Sequence, residues 1–170
     1  MTDGLILPPG AGQRIEGTGT TLLLGAEQTE RWSFFEADVP PGFDVGAHFH
    51  REAEEVFYVL EGELDLLAFE PADETAGDWR GWQSRTGARV TRGHPGTFMY
   101  VPAGCPHAFA NPGSTIARML FVVAPSGHER YLRELAEMGR GQSPDPAAIA
   151  ALNERYDIGQ LTPMVRPHRH

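Results

Sequence analysis

His48 and His50 stand two residues apart, with Glu55 five residues further on, in the segment Gly42-Phe43-Asp44-Val45-Gly46-Ala47-His48-Phe49-His50-Arg51-Glu52-Ala53-Glu54-Glu55. Side chains on a β-strand alternate between faces, so both imidazoles project to one side and Phe49 to the other. Neutral imidazole nitrogens bind a divalent transition metal at about 2.0–2.1 Å. Glu55 opens an apolar strand and can add a carboxylate oxygen from the adjacent part of the ladder. Two histidines and a carboxylate suit a metal that keeps open coordination positions. Glu54 is the rival carboxylate, because a bulge at the strand entry would turn it inward; the spacing to Gly62 favours Glu55.

A second segment runs Gly96-Thr97-Phe98-Met99-Tyr100-Val101-Pro102-Ala103-Gly104-Cys105-Pro106-His107-Ala108-Phe109-Ala110-Asn111. Pro102 and Gly104 make a tight turn that delivers His107 onto a new strand. Alone, a histidine at a strand start is more often structural; paired with the first segment, it reads as a ligand. A barrel core filled for structure alone would carry Val, Leu and Ile, and burying this His/Glu set without a cation would be costly. Cys105 has no base beside it in sequence and reads as a small buried apolar residue. Phe57 and Phe109 share strand parity with Glu55 and His107, so they either line an apolar pocket over the metal or fill the barrel.

The two segments resemble the two signature motifs of the cupin superfamily. Gly42, His48, His50, Glu55 and Gly62 meet every fixed position of the first motif, and Gly96, Pro102, Gly104, His107 and Asn111 meet every one of the second. The resemblance implies an all-β double-stranded β-helix, a jelly-roll barrel, with three His and one Glu on one divalent transition metal inside it. Fe, Ni, Mn, Co, Cu and Zn all accept this ligand set. Shorter stretches are similar to single-domain quercetin 2,3-dioxygenase-like cupins: Glu27-Gln28-Thr29-Glu30, Glu55-Val56-Phe57-Tyr58, Glu129-Arg130-Tyr131 and Glu154-Arg155-Tyr156-Asp157. That likeness implies a dioxygenase in which an enol or phenol-like substrate meets O₂ and Glu55 is both ligand and general base. The same site would serve an isomerase, cyclase or lyase of a small or polyketide-like metabolite, or a metal-containing binding module without turnover.

The elements that must position these residues are short strands. Turn residues punctuate apolar or alternating runs at 21–24, 31–38, 56–60, 63–69, 88–91, 97–101, 107–110 and 116–123, the pattern of an all-β sandwich or barrel. Glu61-Gly62 reads as a hairpin turn. Residues 71–87 lack periodicity and read as a long loop, whose Trp79 and Trp82 either cover the barrel mouth, pack the loop or form an oligomer contact. The barrel is expected over about 20–125 and a helical extension over about 126–158. In that extension Ser126 and Glu129 form a capping box for a helix ending at Gly139, and Asp145 caps a second helix with Pro146 in its first turn. Both helices are expected outside the barrel. His94 and His128 lie outside the motifs and read as surface residues, and 163–170 as a flexible tail whose histidines would bind metal only weakly.

Composition narrows the function classes. The chain has 170 residues, the length of one domain, with a formal charge of −9 and scattered basic residues, so nucleic acid is not an expected partner. All 14 basic residues are Arg, which excludes lysine Schiff-base chemistry and a P-loop lysine. One cysteine, no long apolar run and no basic-then-apolar N-terminus are the marks of a cytoplasmic protein without a membrane span. Exposed barrel edges and an N-terminal strand favour pairing with a second copy, so a homodimer is expected.

Overall fold

The computed structural model describes residues 3–73, 77–140 and 145–167. Eleven antiparallel strands form two facing sheets: β1 (Gln13–Ile15), β2 (Thr20–Leu24), β3 (Ser33–Val39), β4 (His48–Phe49), β5 (Glu54–Glu61), β6 (Leu64–Ala68), β7 (Thr91–Gly93), β8 (Phe98–Val101), β9 (His107–Ala110), β10 (Ala117–Ala124) and β11 (Gly159–Gln160). One sheet has the order β1-β2-β3-β10-β5-β8 and the other β11-β4-β9-β6-β7. From β3 to β5 and again from β8 to β10 the chain passes from the first sheet to the second and back. Two helices follow, α1 (His128–Met138) and α2 (Pro146–Arg155). This is the two-sheet architecture that the motif resemblance implies, and no described helix is long and apolar enough to cross a membrane.

Period-two alternation builds the core. On β3, Ser33, Phe35, Ala37 and Val39 are buried, and on β10 Ala117, Met119, Phe121 and Val123 are. Phe35 stacks on Phe121 with ring centroids 4.5 Å apart. β5 pairs with β10 so that Glu55 lies opposite Val123 and Phe57 opposite Phe121. A register shift enters only between Arg118 and Met119, past the site. Glu55 therefore shares the inward face with Phe57 and Val59, whereas Glu54 is exposed and accepts a hydrogen bond from the Tyr100 hydroxyl at 3.2 Å. Gly62 turns the chain from β5 to β6 at φ 72°, where a Cβ would come within 2.9 Å of Ala117.

Of the long loop read over 71–87, the part that carries Trp79 and Trp82 is packed down on the outer face of the five-stranded sheet. Asp78 caps a single 3₁₀ turn, Trp79–Gly81. Trp79 and Trp82 bury against Leu67 and against Ala47, Ala108 and Ala110, three small residues that leave room for two indoles. The Trp79 indole N–H donates to the buried Asp44 carboxylate at 3.0 Å, and Arg80 bridges Asp44 and Asp65 while stacking over the Trp79 ring. Among the open readings of these tryptophans, loop packing is the one realised.

Several expectations need correction. The strand anticipated at 88–91 lies at Thr91–Gly93, and β1 and β11 are too short to leave a periodic signal. Ser126 does not cap α1; Gly127 does, at φ 120°, without a side-chain bond. The Glu129 carboxylate instead accepts from Ser33 Oγ at 2.6 Å, from Ala26 N at 2.8 Å and from Gly127 N, tying α1 to β3. Asp145 and Pro146 start α2 as anticipated. Residues expected to begin a flexible tail at 163 are tied down: Met164 packs on the core and Val165 exchanges backbone bonds of 2.8 and 3.0 Å with Asp44, a pairing too distant in sequence to leave a local pattern. His168 and His170 lie outside the described residues.

Trp79→Phe keeps an aromatic ring but removes the N–H that Asp44 accepts inside the structure. Unfolding free energy from urea titration is expected to fall by about 1–3 kcal/mol, the usual cost of deleting one partner of a buried hydrogen bond. A loss within about 0.3 kcal/mol would mean that this bond does not anchor the loop.

Candidate metal centre

The four motif residues converge. His48 comes from β4, Glu55 from β5 and His107 from β9, while His50 follows β4 directly, so the two sheets meet at this point. All four side chains are buried, and one ligand atom from each lies within 4.8 Å of all the others. His48 and His107 are opposed in the β4–β9 ladder, with ring centroids 4.2 Å apart.

Three backbone carbonyls fix the tautomers. His48 Nδ1 lies 2.9 Å from Gly46 O, His50 Nδ1 3.2 Å from Asp157 O, and His107 Nδ1 3.1 Å from Cys105 O. A carbonyl can only accept, so each Nδ1 carries the proton and each Nε2 presents its lone pair. Gly46 makes its turn at φ 74°, where a Cβ would collide with the Thr162 carbonyl, so glycine is required for residue 46 to present its own carbonyl to His48.

His107 Nε2 approaches Glu55 Oε2 at 2.6 Å and His50 Nε2 approaches Glu55 Oε1 at 3.6 Å. Despite the short approach, neither His107 Nε2 nor Glu55 Oε2 has hydrogen-bond geometry to a partner, and His50 Nε2 is likewise buried without one. Acceptors pressed together in a buried space need a positive charge between them, and both a proton and a metal meet that need. The donor set of three Nε2 lone pairs and a carboxylate could hold a divalent transition metal ion.

Electrostatics agree with this charge deficit. Burial, together with the neighbouring His107 and His50, drives His48 well below the ordinary imidazole range. Burial alone would raise Glu55, but the imidazoles of His107, His50 and His128 outweigh it and hold the carboxyl far below its usual range. Burial works to lower His107, yet Glu55 prevails and raises it. Cys105 stays aside: burial pushes its thiol up, and it packs against the core.

The group opens onto a cavity of about 590 Å³ lined in part by His48 and Glu55. Phe43, Phe57, Phe109 and Phe121 form one wall as a chain of neighbouring rings, with centroids 5.9–6.0 Å apart along it. Phe57 and Phe109 thus face this cavity. A second wall comes from α1, through His128, Tyr131, Leu132 and Leu135. α1 lies outside the sheets, as expected, yet it is a wall of the cavity as well. The expectation of a surface His128 is overturned: the first residue of α1 points inward and packs against Phe35, Phe121 and His50. His94 is exposed beside Glu63, as anticipated.

Asp157 is the other residue that sequence reasoning missed. Its carboxylate accepts from Arg51 N at 2.8 Å and Glu52 N at 3.0 Å and pairs with the Arg51 guanidinium, while its carbonyl receives the His50 proton. Its φ of 55° is the left-handed region that a non-glycine residue adopts only under such constraint. The signal available in sequence was a lone Asp-Ile-Gly after a helix, which marks a turn but no partner.

The family profile described as Cupin matches residues 18–138. No curated protein shows a significant sequence match. Among solved structures, the polyketide cyclase RemF from Streptomyces resistomycificus is similar at 23% identity and a TM-score of 0.51, over 74% of this chain and 81% of that one. A protein with a double-stranded β-helix domain from Klebsiella pneumoniae is similar at 18% identity and a TM-score of 0.51, over 74% of this chain and 93% of that one. At these identities the likeness is one of fold.

Asp157→Ala removes the carboxylate that locks residues 51–52 to the carbonyl holding His50. Affinity for zinc, measured by competition with a chromophoric chelator, is expected to fall by about 10–100-fold, the usual effect of losing support behind a ligand. Unchanged affinity would show that His50 keeps its orientation without Asp157.

Proposed function

The chain belongs to the cupin family, and from that premise we propose that it is a metal-dependent enzyme that oxygenates a small enolic or phenolic metabolite with dioxygen. The observation that carries this reading is the opening of a buried group of three histidines and a glutamate onto a cavity walled by phenylalanines. His48, His50, Glu55 and His107 would hold a divalent transition metal, which would supply a Lewis acid beside the cavity.

The chain's own residues do the rest. Phe57 and Phe109 contact the ring system of the substrate and, with Phe43 and Phe121, keep water from the reacting centre. The Glu55 carboxylate, kept ionised by its imidazole neighbours, accepts the proton of the substrate hydroxyl. The carbonyls behind His48, His50 and His107 keep the imidazoles from rotating as that proton moves. The dioxygenase choice rests on the quercetin dioxygenase-like stretches of the sequence.

We propose further that two copies pair through the outer face of the six-stranded sheet. One cross-strand row there runs Leu24, Phe34, Val122, Val56 and Tyr100, and the next ends in Leu120, Tyr58 and Phe98. Tyr58, Phe98 and Tyr100 are exposed, and contiguous exposed apolar surface favours association.

The purified protein is expected to carry up to one divalent transition metal per chain by elemental analysis, and His50→Ala to lose most of it; unchanged stoichiometry in that variant sinks the metal assignment. With an authentic substrate, Glu55→Gln is expected to lower activity per bound metal by roughly 10²–10⁴-fold, the range of general-base catalysis. Turnover that persists without O₂ would replace oxygenation by an isomerase, cyclase or lyase reaction. Sedimentation is expected to report a dimer that Phe98→Glu with Tyr58→Glu converts to monomer; a wild-type monomer across the micromolar range rejects the pairing.

A further inference from the structure

His128 is the residue of the cavity that neither the motifs nor the metal-ligand set accounts for. Its ring is held by four others, edge-on to Phe35 at 6.1 Å, Phe121 at 6.3 Å and His50 at 6.0 Å, and tilted against Tyr131 at 5.3 Å. Packing of this kind would be served as well by phenylalanine. The two nitrogens are what packing does not explain. Among the described residues neither makes a hydrogen bond to protein, and neither is sealed off, since His128 lines the cavity and contributes no orphaned buried atom.

Its polar neighbours on α1 are committed: the Tyr131 hydroxyl donates to Asn153 Oδ1 at 3.1 Å, and the Glu129 carboxylate, which takes no part in lining this cavity, has three donors in Ser33, Ala26 and Gly127. His128 is therefore a fixed imidazole with its full hydrogen-bonding capacity aimed into a largely apolar space. It adjoins the Phe121 end of the phenylalanine wall and packs against His50. A polar group so oriented in an apolar pocket is the feature by which such pockets select one ligand among similar shapes.

We propose that His128 contacts the substrate directly and reads a second oxygen on its ring system, selecting aromatic ligands that carry a hydroxyl or carbonyl beyond the oxygen directed to Glu55. A neutral imidazole offers one donor and one acceptor, which matches a hydroxyl in both directions and a carbonyl in one. The phenylalanine wall accepts any flat ring of suitable size, so His128 supplies discrimination that the wall lacks. The inference rests on the cavity being the substrate site, as proposed above.

Two probes separate the possibilities: α-naphthol, with one hydroxyl, and naphthoresorcinol, with a second hydroxyl meta to the first. Binding is followed by probe fluorescence with zinc-loaded and with chelator-stripped protein. Wild-type protein is expected to prefer naphthoresorcinol by about tenfold in both forms, the effect of one well-placed hydrogen bond in a dry site. His128→Phe is expected to abolish the preference while leaving α-naphthol affinity within about twofold, and His128→Gln to restore part of it. A preference that survives in His128→Phe, the lack of any preference in wild-type protein, or binding of neither probe overturns the proposal. Should the phenylalanine variant fail to fold, nitrogen NMR of wild-type protein tests the same contact: naphthoresorcinol is expected to shift the His128 ring signals and α-naphthol to leave them in place, and equal shifts refute contact with the second oxygen. Failure of the metal reading is seen separately, as zinc that adds nothing to the affinity of either probe.

Discussion

The approach of His107 Nε2 to Glu55 Oε2 is the constraint around which the molecule is arranged. An ionised carboxylate inside a protein costs several kcal/mol unless it is matched by charge or hydrogen bonds. Two buried carboxylates here meet that cost differently. Glu129 has three donors and is satisfied by the protein itself. Glu55 has none and faces three imidazoles, of which His48, His50 and His107 turn their N–H groups away to carbonyls. Glu129 staples a helix to a strand. Glu55 leaves a demand for positive charge, and that demand is what fits the cluster to hold a metal ion.

Meeting the demand at one point requires both sheets, and the strand order provides it. Because the chain crosses between sheets around β4 and β9, residues separated by more than fifty positions in sequence become ladder neighbours, as His48 and His107 do. The five-stranded sheet then has two faces with opposite duties. Its inner face carries His107 and Phe109 toward the cavity, while its outer face is trimmed to alanine at 108 and 110 and covered by Trp79 and Trp82. The indole cover holds Ala47 and Asp44 in place, one residue and four residues before the first histidine, so the long loop supports the site from behind.

Much of this was legible in the sequence, because motif residues act through local backbone geometry. The His-x-His alternation, the glycine at 62 and the proline-glycine turn before His107 each state a local conformation, and three local conformations sufficed to name the four residues that converge. Long-range partners were not legible. Asp157 reaches His50 across 107 positions through a backbone carbonyl, a group that every residue has. Val165 pairs with Asp44 by backbone bonds alone, which is why the segment looked like a tail. His128 was misread for a related reason: it starts a helix at an ordinary surface position, and only the docking of α1 over the cavity turns its ring inward.

The inward turn of His128 shows how the molecule divides its labour. The two sheets supply the charge-hungry cluster from fixed motif residues, and the phenylalanine wall from residues that the motifs leave open. A second wall, with His128, Tyr131, Leu132 and Leu135, comes from a helix beyond β10 and is joined to β3 through Glu129. Among the described residues the ring contact of the helix wall with that group is His128 against His50, and His128 also helps to hold the Glu55 carboxyl low. Under the proposed function, reactivity rests on the motif residues and substrate choice on the α1 wall, two segments that fold together and meet at His128.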